Sequence, residues 1–303
     1  MATAVALVTG ASGLLGRAVL SAFEGASDFR AVGTCFSRAT GNLVSCDLTD
    51  VPSITRMISS VMPRVVIHCA AERRPDACER DPSKASLINV HAVFHLARAA
   101  EEVGAAFIFI STDYLFDGTS APYSETAPTS PLNAYGAQKV RGEAASIAGH
   151  THATILRVPV LYGPCSDLRE SAVTAFAAIL IENEHATVDD WQIRVPTLTT
   201  DIAKTLLSMA RASIADGGAA RVSGVWHYSS AERFTRFELI RLFGEMLGKS
   251  TDNVVRVEGA PPGARRPYDC QLNTAKLDAT GWAAPHTDFK KAVRDVIESR
   301  ANA

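Results

Sequence analysis

Short apolar runs rich in β-branched residues alternate with longer stretches whose apolar residues recur every three or four positions. The runs are AVALV (4–8), RAVGTCF (30–36), RVVIHCA (64–70), AFIFIS (106–111) and ATILRV (153–158), and they predict buried strands. Residues 13–24, 51–61, 85–104 and 135–148 carry helical spacing between them. Strand–helix alternation of this kind predicts an α/β fold, a doubly wound parallel sheet with helices on both faces. After about residue 160 the rhythm loosens, with Gly/Pro-rich breaks at 162–164 and 259–267. The expected organisation is a first domain over 1–160 and a mainly separate, smaller α/β domain over 161–303, with an element near 195–212 returning to the first.

VTGASGLLG places Gly10, Gly13 and Gly16 at G-x-x-G-x-x-G spacing, directly after the first strand and at the start of the first helix. In that context the motif predicts a dinucleotide cradle and a Rossmann domain. The glycines allow a tight turn and close backbone approach, and the helix N-terminus offers free N–H groups and a positive dipole to phosphate. The cradle comprises Gly10, Ser12, Gly13, Leu14, Leu15 and Gly16. The second strand ends in GTCFSRATG, with no acid between Gly33 and Gly41. An acid there would accept from an adenosine ribose. Ser37 and Arg38 instead donate, and arginine can do so through two N–H groups at once, so the expected cofactor is NADP(H) in preference to NAD. Arg38 is equally a solvated loop charge. Asp47, after a third strand, either accepts from the adenine amino group or caps the helix that begins near Val51.

In SPLNAYGAQK, Tyr135 and Lys139 are four apart and share a helix face. A free phenol titrates near ~10, and a neighbouring cation favours the phenolate. FISTDYLFDG supplies Ser111 and Thr112 at the carboxyl end of a strand, where a hydroxyl can hold a carbonyl oxygen. The candidate catalytic set is therefore Thr112, Tyr135 and Lys139, with Thr112 preferred to Ser111.

Glycine turn, strand-end Ser-Thr and Tyr-x-x-x-Lys stand in the order of the extended short-chain dehydrogenase/reductase family, which the chain resembles over nearly its whole length. VVIHCAA, STDYLFDG, PLNAYGAQK and LRVPVLYG support that resemblance, and GARRPYDCQLNTAKL looks like the C-terminal segment of dTDP-4-dehydrorhamnose reductases. The resemblance implies that Tyr135 is the general acid, that Lys139 binds the nicotinamide ribose and lowers the tyrosine pKa, and that Thr112 orients a carbonyl. Nucleotide-sugar 4,6-dehydratases carry Asp-Glu after the threonine. Here Asp113 is followed by Tyr114, which argues against elimination chemistry.

A narrower resemblance lies in HCAAERRPDACE (68–79), ESAVT (170–174), DDWQIRVPT (189–197) and ARRP (264–267), which are similar to the regulatory β subunits of methionine adenosyltransferase. That family keeps the reductase fold, binds NADP(H) and serves as a binding partner of the catalytic subunit. It implies that Phe36, Ser37, Arg38, Asp47, Leu48, Cys69, Ala70, Ala71, Arg73, Tyr135, Lys139 and Leu161 line the dinucleotide. The family's β subunit ends in a longer aromatic-rich tail that docks into the catalytic subunit, whereas this sequence ends in VIESRANA, which weakens the expectation of a partner. Two functions stand side by side: a dinucleotide-bound regulatory subunit, and an NADPH-dependent reductase of a nucleotide-sugar ketone.

Other residues have plain alternatives. His68 reads better as a core residue than as a ligand, and Arg73 and Arg74 read as surface charges apart from the resemblance. Asn89 either binds backbone near the site or faces solvent. Arg194, Arg265 and Arg266 lie at Gly/Pro turns, as a substrate phosphate site would want and as exposed loops also do. Trp191 is a core anchor or a substrate platform.

Composition changes the picture little. The 303 residues are 47% hydrophobic and 20% charged, with 30 Lys+Arg against 32 Asp+Glu and a net charge of −2. A nearly neutral globular chain has no electrostatic draw toward nucleic acid or anionic membrane. The six cysteines are irregularly spaced, which supports neither a zinc site nor a disulfide framework and suggests a reducing compartment. The apolar start lacks a basic region and runs into the glycine motif, so the expected location is cytoplasmic.

Overall fold

The computed structural model describes residues 3–36 and 43–301. Its strands are β1 (Ala4–Thr9), β2 (Phe29–Cys35), β3 (Leu43–Ser45), β4 (Val65–His68), β5 (Ala106–Thr112), β6 (Thr154–Val158), β7 (Leu161–Tyr162), β8 (Ala186–Asp189), β9 (Thr197–Leu198), β10 (Gly224–His227) and β11 (Val254–Val257). Its helices are α1 (Leu14–Glu24), α2 (Val51–Val61), α3 (Pro75–Arg80), α4 (Pro82–Ser86), α5 (Ala92–Glu102), α6 (Ala134–Gly149), α7 (Ala175–Ile181), α8 (Thr199–Ile214), α9 (Gly218–Val222), α10 (Arg236–Leu247), α11 (Ala275–Asp278) and α12 (Phe289–Ala301).

Seven strands form one sheet in the order β10-β6-β5-β4-β1-β2-β3, every neighbour parallel. The buried runs alternate by residue. Ala6, Val8, Val65, Ile67, Ile108 and Ile110 face one core with Leu15, Val19 and Phe23 of α1 and Ile202, Leu206 and Met209 of α8. Leu7, Val66, Phe107, Phe109 and Ile155 face the other, with Ile54 and Ile58 of α2 and Val93 and Leu96 of α5. Burial on both faces explains why these strands read as continuous apolar runs. Each fully buried large aliphatic or aromatic side chain contributes roughly 1.5–3 kcal/mol.

The expected return of the chain is present: β9 leads into α8, which packs on α1. It continues further than 212, because β10 pairs with β6 and completes the sheet. A second core gathers Tyr162, Val173, α7, α10 and α12 around the parallel pair β8 and β11.

Two helices depart from simple patterning. The segment 85–104, expected to be one helix, begins earlier at Pro82 and is interrupted by a π-helical turn at Leu87–His91 before α5. The wider turn shifts the helical register and turns Asn89 inward, to 1% exposure. Helix α6 buries polar residues, Gln138, Lys139, Glu143 and Ser146, in place of an apolar stripe. Such a conflict between local pattern and burial is what a functional helix produces. The Glu143 carboxylate accepts from Arg157 Nε at 2.8 Å and Nη2 at 2.7 Å, which fixes α6 to β6.

Candidate active site

The glycine turn closes at the carboxyl end of β1. Gly10 has φ +66°, and a side chain there would meet Ala70 backbone at 2.8 Å. At Gly16 a Cβ would lie 2.1 Å from Gly10 O, so only glycine lets α1 pack this closely on the turn. Gly13 differs: it is exposed, and its Cβ would approach only Gly10 O, at 3.3 Å. The room above Gly13, together with an α1 N-terminus that has no side-chain cap and no acid in its first turn, fits a diphosphate. Leu15 belongs to the sheet core and Leu14 packs on the second core. Ser12 O accepts from Arg17 Nη1 at 2.7 Å, and a second nitrogen of Arg17 donates to the Glu170 carboxylate.

Around the turn, Phe36, just after β2, is 69% exposed. Ser37 and Arg38 lie outside the described residues. Asp47 does not cap α2: Asp50 does, accepting from Ser53 N at 3.0 Å. Asp47 instead accepts from Thr49 N at 2.8 Å through Oδ1, because three residues separate it from the first helical turn. Leu48 points into the core. Cys69, Ala70 and Ala71 follow β4, and exposed Arg73 donates to Glu170 O at 2.7 Å. Leu161 lies in β7, its carbonyl accepting from Ser171 Oγ at 2.7 Å. His68 is a core residue, 1% exposed, with Nδ1 2.6 Å from Thr9 Oγ1 and Nε2 without a partner. Burial, then the charge of Lys139, lowers its pKa to about 3.

Thr112 lies beside Tyr135, and Lys139 stands one turn further along α6. Asn133 caps α6 by accepting from Gly136 N at 2.9 Å, and its amide donates to Arg265 O at 2.8 Å. A Cβ at Gly136 would lie 2.2 Å from Tyr114 O, so this glycine allows the start of α6 to sit against the end of β5. Tyr135, half-buried, makes an edge contact with Tyr114 at 6.2 Å. Thr112 Oγ1 donates to Asp113 at 3.1 Å. Burial raises the Tyr135 pKa above the ordinary phenol range, the Thr112 hydroxyl opposes the shift, and Asp113 adds to it. Burial likewise brings Asp113 up to about 6 against the pull of Arg194.

Lys139 is 2% exposed, donates to Ile110 O at 2.6 Å and sits 3.8 Å over the Phe109 ring. Burial lowers its pKa to about 7, with Glu143 and Cys69 opposing. The thiol of Cys69 is pushed up to about 12 by the same burial. Burial is the dominant influence on the Tyr135 phenol, which keeps its proton. A protonated phenol is the donor form of a general acid.

Asn89 resolves toward the site. Its Oδ1 accepts from Glu72 N at 3.0 Å, and its Nδ2 donates to Gln138 at 2.8 Å, which ties the loop after β4 to α6. In the second half, Arg194 lies 5.0 Å over the Tyr114 ring and donates to its hydroxyl. Arg266 pairs with Asp76 at 2.7 Å, Arg265 is exposed, and Trp191 meets Tyr268 at 5.3 Å. Arg236, which the sequence reading missed, is held by Asp189 at 3.0 Å. Its pKa is lowered by burial and then by the facing charge of Arg194, with Arg266 adding. Arg194 and Arg266 both bear on Arg236, while Asp189 and Asp76 pair with Arg236 and Arg266. The local signal was only an arginine directly after the cap Thr235. Among the described residues no cluster of His, Cys, Asp or Glu has a metal-binding arrangement, and no helix is long and apolar enough to cross a membrane.

A family profile described as RmlD substrate binding domain matches residues 4–302. Methionine adenosyltransferase 2 subunit beta of Xenopus tropicalis is 39% identical over 294 residues, covering 96% of this chain and 86% of the relative. The dTDP-4-keto-6-deoxy-D-glucose reductase of Streptomyces niveus is 32% identical over 265 residues, covering 86% and 81%. Among solved structures, dTDP-4-dehydrorhamnose reductase from Bacillus anthracis in complex with NADP has a TM-score of 0.82 at 23% identity over 99% of both chains, a likeness of fold. The chain therefore belongs to the RmlD substrate-binding family, the dTDP-4-dehydrorhamnose reductase-like group with which methionine adenosyltransferase 2 subunit beta also aligns.

Proposed function

We propose that this chain is an NADP(H)-binding protein of reductase architecture that acts, in the cytoplasm, as a regulatory partner of a methionine adenosyltransferase catalytic chain. The observation that carries this reading is the 39% identity to methionine adenosyltransferase 2 subunit beta across 96% of the chain. The glycine turn and Arg73 would hold the diphosphate, Phe36 and Asp47 the adenosine, Arg38 the 2′-phosphate, and Lys139 the nicotinamide ribose. Residues 1–160 would carry most of the dinucleotide site and 161–303 most of the second ligand or partner site. Copurification with a methionine adenosyltransferase catalytic chain at micromolar concentration, with altered kinetics of that chain, is the expected result; no association removes the partner role.

The same site supports a second reading, reduction of a nucleotide-sugar ketone, favoured by Thr112 lying beside Tyr135 with Lys139 one turn further along α6, and by Arg194 and Arg266 lying near Arg236. A bound dinucleotide would supply the hydride. Thr112 orients the carbonyl oxygen and Tyr135 delivers the proton to it, while Arg194, Arg236 and Arg266 attract the substrate's phosphates.

Cofactor choice gives its own test. If Arg38 reads the 2′-phosphate, NADPH binds roughly tenfold or more tighter than NADH, and Arg38→Asp abolishes the preference, since one charge-assisted phosphate contact supports a difference of that order. Equal affinities in the parent protein, measured by calorimetry, would overturn the assignment.

A further inference from the structure

Arg17 stands four residues after Gly13, on the same face of α1, and its guanidinium folds back over the phosphate end of the helix to Ser12 O at 2.7 Å. Its other terminal nitrogen is taken by the Glu170 carboxylate, which comes from 153 residues further along the chain. Glu170 O also accepts from Arg73 at 2.7 Å. One acidic residue of the second half thus contacts both Arg17 and Arg73.

The strap that presents Glu170 is fixed to the second lobe. Thr174 Oγ1 donates to Leu168 O at 2.6 Å, and Arg169 pairs with Glu182 at 2.7 Å and Glu184 at 2.8 Å. The Glu170 carboxylate accepts in addition from Ser166. A carboxylate held this way is more than a chance meeting of two long side chains.

We propose that Arg17 is a ligand of the dinucleotide diphosphate and that Glu170 is an internal anion competing for it. The inference rests on the dinucleotide reading above and deepens it. A diphosphate at the α1 N-terminus and the Glu170 carboxylate carry like charges and seek the same guanidinium donors. Each therefore weakens the other's hold on Arg17, and dinucleotide binding is coupled to the 168–174 segment of the second lobe through reciprocal linkage. Arg73 is held by the uncharged Glu170 carbonyl, which ties it to the same segment. A loosened strap would then report cofactor occupancy on the second half, where a partner chain or substrate is expected to act.

The sign of one substitution separates this role from that of a structural brace. Calorimetry of NADPH binding to the full chain is compared for the parent, Glu170→Gln, Arg17→Gln and the double variant. Glu170→Gln keeps the size of the side chain and one acceptor oxygen but removes its charge. It is expected to tighten NADPH binding roughly threefold to tenfold, while Arg17→Gln weakens it about tenfold, the scale of one charge-assisted hydrogen bond. In the Arg17→Gln background the gain from Glu170→Gln shrinks, since contacting groups are non-additive. Weaker binding by Glu170→Gln would mean a brace that shapes the turn, and changes below about twofold in both single variants would mean an exposed ion pair of no consequence; either overturns the proposal and leaves the dinucleotide reading intact. A parent protein that binds neither NADPH nor NADH removes both.

Discussion

Tyr135→Phe is expected to lower any NADPH-dependent ketone reduction by the chain about 10²- to 10⁴-fold, the range for loss of a positioned general acid, with dinucleotide affinity changed by no more than about threefold. The phenylalanine ring keeps the edge contact with Tyr114 at 6.2 Å, so the substitution removes the O–H without opening the core. Burial keeps the phenol protonated, and Lys139 remains anchored to Ile110 O at 2.6 Å. Steady-state reduction kinetics and NADPH titration of the same preparation check both halves. Reduction that survives the substitution would place the proton donor elsewhere. A regulatory subunit, by contrast, would leave its effect on a methionine adenosyltransferase catalytic chain unaltered by Tyr135→Phe, so this variant also discriminates the two functions.

Glu143→Ala is expected to cost about 3–5 kcal/mol of folding stability, because it strands a buried guanidinium. Arg157 is 5% and Glu143 9% exposed at the side chain. The remaining contacts of Arg157 are longer, 3.3 Å to Glu125 O and 3.4 Å to His227 Nε2, and cannot neutralise it. Denaturant titration monitored by fluorescence would show the loss as a lower midpoint at unchanged slope. The pair Glu143→Leu with Arg157→Met should recover a large part of it, since well-packed apolar residues often replace a buried ion pair at little net cost. A loss below about 1 kcal/mol in Glu143→Ala would show that the pair contributes only what a surface ion pair does. Glu143 also supports the charge on Lys139, so the same variant should depress the lysine pKa further, observable as a shift in the pH dependence of dinucleotide binding.

The five runs that pattern alone predicts as strands all appear, as β1, β2, β4, β5 and β6, within one or two residues at their ends. Burial on both sides of a parallel sheet leaves no polar face to obscure the signal. The strand β10 was not legible: GVWH is four residues long, sits in the irregular half, and is a strand only because β6 offers it an edge. The single helix expected over 85–104 failed for a related reason. A π-helical turn is chosen by the packing of its neighbours, and here it brings Asn89 to Glu72 and Gln138.

For the site, local spacing was enough to bring Gly10, Gly13 and Gly16 to one turn, and Tyr135 and Lys139 to one helix face, because turn geometry and the helical repeat act over a few residues. Asp47 and Asp50 were not told apart, since both lie within reach of a helix start. The charge state of the site was beyond sequence. The pKa of Lys139, about 7, follows from being sealed between Phe109, Ile110 and α6, and that of Asp113, about 6, from burial beside Arg194. Arg236 joined Arg194 and Arg266, and Glu170 reached Arg17, across chain separations that no local pattern encodes. Sequence by itself determined what depends on near neighbours: the alternating elements, the glycine cradle and the Tyr-Lys face. Tertiary structure alone decided which distant charges meet and how far each is withdrawn from water, because desolvation and Coulomb interaction depend on distance in space and not along the chain.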